Sequence, residues 1–203
     1  MRALPILALA LLAGCSTLRQ QPTMVPQPTN DWRRVATDDD HDRLRKWRTA
    51  FVEALAAARA AGHGAEIAAQ GALLEPDAAL GGFIPDGLYR CRIIKLGAKA
   101  DGMLDYIAYP AFRCSVDSAR RRHFAKLTGS QRPLGILFPD SQLREVFLGT
   151  LVLGDEQRAL QYGVDETRDV AGFVERIGDR RYRLLMPEPH FESRLDVMEL
   201  VPE

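Results

Sequence analysis

Gly172-Phe173-Val174-Glu175-Arg176-Ile177-Gly178-Asp179-Arg180-Arg181-Tyr182-Arg183-Leu184-Leu185-Met186 decides the fold. It reads as two short stretches of alternating character joined by a turn dipeptide. Gly178-Asp179 is a two-residue hairpin signal, because glycine reaches the backbone angles such a turn requires. With the turn placed there, Phe173, Ile177, Tyr182, Leu184 and Met186 share one face. Val174, Arg176, Arg181 and Arg183 take the other. One apolar and one basic face describe a sheet wetted on one side. Glu175 is the exception, since it falls on the apolar face with Tyr182 directly across and Arg180 diagonal. A carboxylate buried without a partner is costly. Glu175, Arg180 and Tyr182 are therefore read as an ion-pair group at a barrel mouth or as a ligand-facing acid.

The same period of two extends outward from this hairpin. Tyr89, Cys91 and Ile93 alternate with Arg90, Arg92 and Ile94, and Phe112, Cys114 and Val116 alternate with Arg113 and Ser115. Further strands are expected at 123–128, 134–138, 145–153, 169–177, 181–186 and 195–201. Eight strands with hairpin-length links predict a small closed or nearly closed antiparallel barrel over residues 85–203, with a β-sandwich as the alternative. If the aromatic and aliphatic residues of the first two strands point inward, Cys91 and Cys114 share a face and are close enough to bridge.

Before the strands the period changes. Leu44, Trp47, Phe51, Leu55 and Ala58 recur at three- and four-residue spacing, one apolar helix face. Asp38, Asp39 and Asp40 favour a helix N-terminus rather than a calcium loop, which needs spaced ligands and a glycine turn. Residues 31–84 thus form a helical segment in one globular unit with the barrel, making the class α+β. The helix is expected to plug one mouth or to lie along an open edge.

Residues 16–30 (STLRQQPTMVPQPTN) are rich in Pro, Gln and Thr and read as a tether. Ahead of them, Ala3 to Leu12 is too short an apolar run to cross a bilayer as a helix and suits a secretory signal. Leu12-Ala13-Gly14-Cys15 resembles the lipobox of bacterial lipoproteins, so residues 1–15 read as signal peptide and lipobox. That resemblance implies acylation of Cys15 and attachment to the membrane through N-terminal acyl chains. Ser16, where aspartate is the usual inner-membrane retention signal, implies the outer membrane, facing the periplasm. In that oxidising compartment a Cys91–Cys114 disulfide persists.

Lys plus Arg equals Asp plus Glu, 27 each. Such a balance gives no global field for nucleic acid, and no nucleic-acid partner is expected. Arginine heavily outnumbers lysine but is scattered along the chain. The four histidines are dispersed, and no HxxxH, GxSxG or P-loop occurs, so neither a metal nor a cofactor is expected. Ser130 could serve as a nucleophile only if His123 stood beside it. Asp155-Glu156 and Asp165-Glu166, around Tyr162-Gly163, read as solvated loop charges.

Gly87-Leu88-Tyr89-Arg90-Cys91-Arg92, Lys126-Leu127-Thr128-Gly129-Ser130-Gln131-Arg132, Phe147-Leu148-Gly149 and Gly172 to Gly178 are similar to segments of an uncharacterised bacterial family, domain of unknown function DUF4893. The likeness spans residues 31–202 and implies a cell-envelope protein, with no activity attached. A fold-level likeness to lipocalin-type barrels rests on Gly87-Leu88-Tyr89, where those barrels carry Gly-x-Trp. The functional expectation is a non-enzymatic envelope lipoprotein binding a small amphipathic ligand in the barrel mouth, or another envelope protein. The rivals are a hydrolase or transferase using Glu175 or Asp140, and an interaction module docking through arginine-rich outer strands.

Overall fold

The computed structural model describes residues 29–119 and 121–203. Cys15 and nearly all of the tether lie outside the described residues. A short 3-10 turn, Trp32–Arg34, is followed by helices α1 (Asp38–Arg45), α2 (Trp47–Ala60) and α3 (Gly64–Ala69) and a second 3-10 turn, Gly71–Leu74. Nine strands then follow: β1 (Gly87–Ala98), β2 (Tyr106–Ala108), β3 (Phe112–Asp117), β4 (His123–Lys126), β5 (Gln131–Pro139), β6 (Arg144–Leu153), β7 (Asp169–Gly178), β8 (Arg181–Pro187) and β9 (Ser193–Pro202). Consecutive antiparallel pairing runs from β3 to β9, and β1 pairs with both β3 and β9. The sheet therefore closes into an eight-stranded barrel, not a sandwich. β2 is an addition to the expected set. It pairs with the far half of β1, from Ile94 to Leu96, where β3 has left that edge.

The inward positions follow the period of two. Tyr89, Cys91 and Ile93 of β1 meet Cys114, Phe124, Phe147, Val174, Leu184, Met198 and Leu200 in one buried cluster. Side chains thus fill the middle of the barrel, as expected for eight strands. Cys91 and Cys114 are disulfide-bonded, with Cα atoms 6.0 Å apart. They are diagonal neighbours, since Cys91 pairs with Phe112 and Tyr89 with Cys114.

The helices neither plug a mouth nor flank an edge; they cover the outer wall. A closed barrel has no free edge to protect, but this one has an apolar exterior. Beyond Arg92 the outward residues of β1 become Ile94 and Leu96. With Ile177, Leu185, Leu195 and Val197 they receive Phe51, Ala54, Leu55 and Ala58 of α2. Phe51 is fully buried, and burying such a side chain is worth about 2 kcal/mol. Gly97 permits the approach: a Cβ there would lie 3.1 Å from the Ala54 Cα, and φ is +69°. Thr37, not the aspartates, caps α1, its hydroxyl accepting from the Asp40 amide at 3.3 Å. Asp38, Asp39 and Asp40 occupy the first turn, where the helix dipole favours them.

One end of the barrel is shut. The chain between the helices and β1 crosses it and inserts Ile84 into the interior cluster. Glu145, itself buried, accepts the Ile84 amide at 3.2 Å and pairs with Arg122 at 2.8 Å. Arg122 donates in turn to the Ile84 carbonyl at 2.6 Å. The Tyr89 hydroxyl adds a hydrogen bond to the Pro85 carbonyl at 2.6 Å.

Candidate functional site

The pairing of β7 with β8 corrects the reading of Glu175. Gly178 pairs with Arg181, so the turn is Asp179-Arg180, and a register shift between Arg176 and Gly178 absorbs Ile177. Glu175 consequently faces Arg183, while Tyr182 sits across from Arg176. Such a slip moves side chains to the opposite face. Tyr182, Leu184 and Met186 point into the barrel, whereas Phe173, Ile177, Glu175 and Arg183 point out under the helical layer. Arg180 is exposed in the turn and takes no part. Arg183 and Glu175 are fully buried, 2.7 Å apart. The guanidinium also donates to the carbonyls of Ala72, Leu73, Glu75 and Pro76. Arg144 lies 2.9 Å from the other Glu175 oxygen, close enough for charge pairing but not aligned as a hydrogen bond. With every charge answered by a neighbour, Glu175 holds the helical layer to the barrel wall.

The other sequence candidates are engaged by neighbours or kept apart, although Ser130 lines the cavity at the open end of the barrel and Glu156 a groove beside Gly129 and Gly154. Asp140 accepts from the Trp32 indole at 2.8 Å and from Arg33 at 3.1 Å, pinning the first described residues. His123 opens β4 and Ser130 follows its far end, so the strand keeps them apart. Glu156 pairs with Arg168, and Tyr162 donates to buried Asp40 at 2.5 Å.

The open end of the barrel is different. At that rim the inward positions turn from apolar to charged. Lys95 follows Ile93 on β1, Asp196 precedes Met198 on β9, and Lys126 follows Phe124 on β4. All three are buried, at 5%, 7% and 5% exposure. A cavity of about 120 Å³ lies among Ile93, Lys95, Tyr109, Lys126, Gln131 and Glu192. A smaller one of about 20 Å³ continues over Val170, Met186 and Phe191. The large internal pocket of a ligand-carrying barrel is not among the described features, since aromatic and aliphatic side chains occupy that space.

The two lysines of the cavity are served unequally. Lys95 lies 3.0 Å from both Asp196 and Glu192, and Ser193 donates to the other Asp196 oxygen at 2.5 Å. Burial works against the Lys95 cation, but the two carboxylates outweigh it and hold its pKa above the ordinary value. Lys126 donates to the Gln131 carbonyl at 2.7 Å and rests 3.9 Å over the Phe112 ring. Among the described residues no carboxylate lies within 4 Å of it. Burial, then the positive charges of Lys95 and Arg132, push its pKa down to about 8, with Asp196 opposing. Arg132, beside it, is held by the carbonyls of Gly129, Gly154 and Glu156. Gly129 is needed here: a Cβ would come within 3.0 Å of both the Lys126 amine and Phe112.

Above the cavity runs the connection from β8 to β9, residues 188–192. Glu188 at φ +45° and Glu192 at φ +71° are the non-glycine residues of positive φ among the described ones, and both lie in this loop. Non-glycine residues hold this conformation at some energetic expense and persist in it where surroundings enforce it, often at binding sites. Lys99 fixes the loop, pairing with Glu188 at 3.1 Å and donating to the Pro189 carbonyl.

Lys95, Lys126, Asp196 and Glu192 were not among the sequence candidates. The signal for Lys95, Lys126 and Asp196 is a charge within an apolar period-two run, as it is for Glu175, whereas Glu192 lies in a loop and carries no such signal. A second signal was the residue type: the chain has four lysines, Lys46, Lys95, Lys99 and Lys126, and three of them stand at this rim. No curated protein and no solved structure matches the chain. A family model matches nearly all of the described barrel and its helical layer, and the chain belongs to that family, described as Domain of unknown function (DUF4893), over residues 32–200.

Proposed function

We propose that this chain is a lipid-anchored envelope protein whose open barrel mouth binds a small amphipathic molecule through an acidic head group. The observation that carries the reading is Lys126, a buried cation facing the cavity in contact with a carbonyl and an aromatic ring and, among the described residues, with no carboxylate within 4 Å. A buried charge left without a counter-charge is unfavourable, and an anionic ligand would supply one. The apolar floor of Ile93, Val170 and Met186 suits a short hydrocarbon stub. A cavity of about 120 Å³ holds a head group and a few carbons, well below the several hundred Å³ of a drug-sized site. The remainder of the ligand would lie outside, past half-exposed Phe191. The hydrolase reading draws no support from Glu175 or Asp140, which are both engaged elsewhere. Docking through outer arginines loses Arg183, which is buried under the helical layer.

The test is titration calorimetry with short-chain carboxylates, butyrate to octanoate, on wild type and Lys126→Gln. A charge-assisted contact is worth about 1.5–3 kcal/mol, so affinity should fall roughly 10- to 100-fold in the variant. Equal affinity in the two proteins would remove the site from the mouth. Anchoring is tested separately. Wild type should fractionate with membranes and take up palmitate label, because more than one acyl chain gives stable attachment. Cys15→Ser should do neither. A Cys15→Ser protein that stayed with membranes would defeat the lipobox reading.

A further inference from the structure

We infer that Lys126 is a nucleophilic amine that captures small aldehydes or ketones as a reversible imine. The inference rests on the same mouth site and names the reactive class it takes. Three observations carry it. The Lys126 amine faces the cavity, and its hydrogen bond to the Gln131 carbonyl uses one N–H and leaves the rest of the group free to turn toward a bound molecule. The cavity also holds a lysine that keeps its proton, Lys95, tied to Asp196 and Glu192. Finally, lysine occupies this position in a chain that carries only four lysines and uses arginine for most of its positive charges. Arginine is never deprotonated in proteins, whereas a buried lysine can be, and only the neutral amine attacks a carbonyl.

The step balances without an oxidant or reductant. The Lys126 nitrogen lone pair forms a bond to the carbonyl carbon, and the oxygen takes up a proton, giving a carbinolamine. That first step moves one proton from nitrogen to oxygen; the hydroxyl then takes up a second proton and leaves as water as the C–O bond breaks, and the nitrogen releases its last proton to give the imine. The proton that the departing hydroxyl requires is matched by one released from nitrogen, so the step exchanges protons with solvent at the open end of the barrel and needs no net acid or base. Hydrolysis runs the same steps backward and frees the ligand.

The charged and titratable groups around the amine set its pH dependence. Lys95 of β1 and Arg132 of β5 disfavour the ammonium, Asp196 of β9 favours it, and Glu192 of the loop and Tyr109 line the same cavity. With the amine at about 8, about a fifth of it is neutral at pH 7.4, against about one part in a thousand for an ordinary lysine. That is roughly a 200-fold advantage in reactive form.

The experiment is reductive trapping of the purified full chain with glyoxylate, an aldehyde carrying a carboxylate, and sodium cyanoborohydride, followed by peptide mapping. The expected result is one adduct per chain on Lys126. Its rate should exceed that at exposed Lys46 at least tenfold and rise between pH 6 and 9. Adducts at Lys46 or Lys99 forming as fast as at Lys126 would overturn the inference. Wild type supplies this result without any variant that might misfold. Lys126→Arg, checked for its far-UV spectrum, keeps the charge and should lose trapping altogether. Carboxylate binding by wild type without trapping would sink the imine and leave the binding site standing; absence of both would sink both.

Discussion

Arg183→Ala should lower the stability of the folded chain by about 3–5 kcal/mol, the usual consequence of leaving one member of a buried ion pair alone. The substitution leaves Glu175 fully buried with only Arg144 near it, and strips donors from the carbonyls of Ala72, Leu73, Glu75 and Pro76. For a chain of this size each kcal/mol shifts the melting temperature by roughly 2–4 °C, so a fall of about 6–20 °C is expected. The loss should be felt first in the helical layer, because Arg183 is the strand residue that grips residues 72–76. Limited proteolysis should therefore cut between residues 60 and 85 in the variant sooner than in wild type. Joint replacement, Glu175→Gln with Arg183→Met, should recover part of the loss, since no uncompensated charge then remains in that pair. Unchanged thermal unfolding of Arg183→Ala would show that the pair does not hold the layer.

Removing the disulfide by Cys91→Ala with Cys114→Ala should reduce stability by about 3 kcal/mol in the chain-entropy account, given a sequence separation of 23. The bridge has a local task as well. Past the pairing of Cys91 with Phe112 the β1–β3 ladder stops, and β1 takes β2 as its neighbour from Ile94 onward. The disulfide thus ties the seam at the point where the ladder is interrupted. Both cysteines are almost fully buried, so a thiol reagent should reach them only after unfolding. Urea unfolding with and without prior reduction gives the comparison. A difference below about 1 kcal/mol, or ready reduction of the native protein, would contradict this account.

Much of this architecture was legible in the sequence. The switch from three- and four-residue spacing at Leu44 to Ala58 to alternation after Gly87 separated helical layer from barrel. The repeated aromatic-Arg-Cys pattern at Tyr89 and Phe112 put both sulfurs on one face, where the disulfide joins them. These features depend on local periodicity, and periodicity is a property of the chain itself. Glu175 was also conspicuous, because a carboxylate in an apolar run demands a partner wherever it lies. Its partner is Arg183 and not the expected Tyr182 or Arg180. One residue of register at the β7–β8 hairpin exchanged Tyr182 for Arg183, and the shift arises because Gly178 pairs instead of turning.

Other features required the closed, covered barrel. A period of two divides a strand into two faces but does not say which is inside, and here both faces are apolar over long stretches. Ile94 and Leu96 look outward to α2, while Ile93 looks inward with Lys95 behind it. The mouth site has the same origin. Lys95, Lys126 and Asp196 stand on three strands, 31 to 101 residues apart, and nothing local links them. Alternation alone could place each on a face, but only closure of β1 on β9, with β3 and β4 on its other side, gathers them around one cavity. There burial and like charge, not the lysine side chain itself, bring the Lys126 amine down toward neutrality.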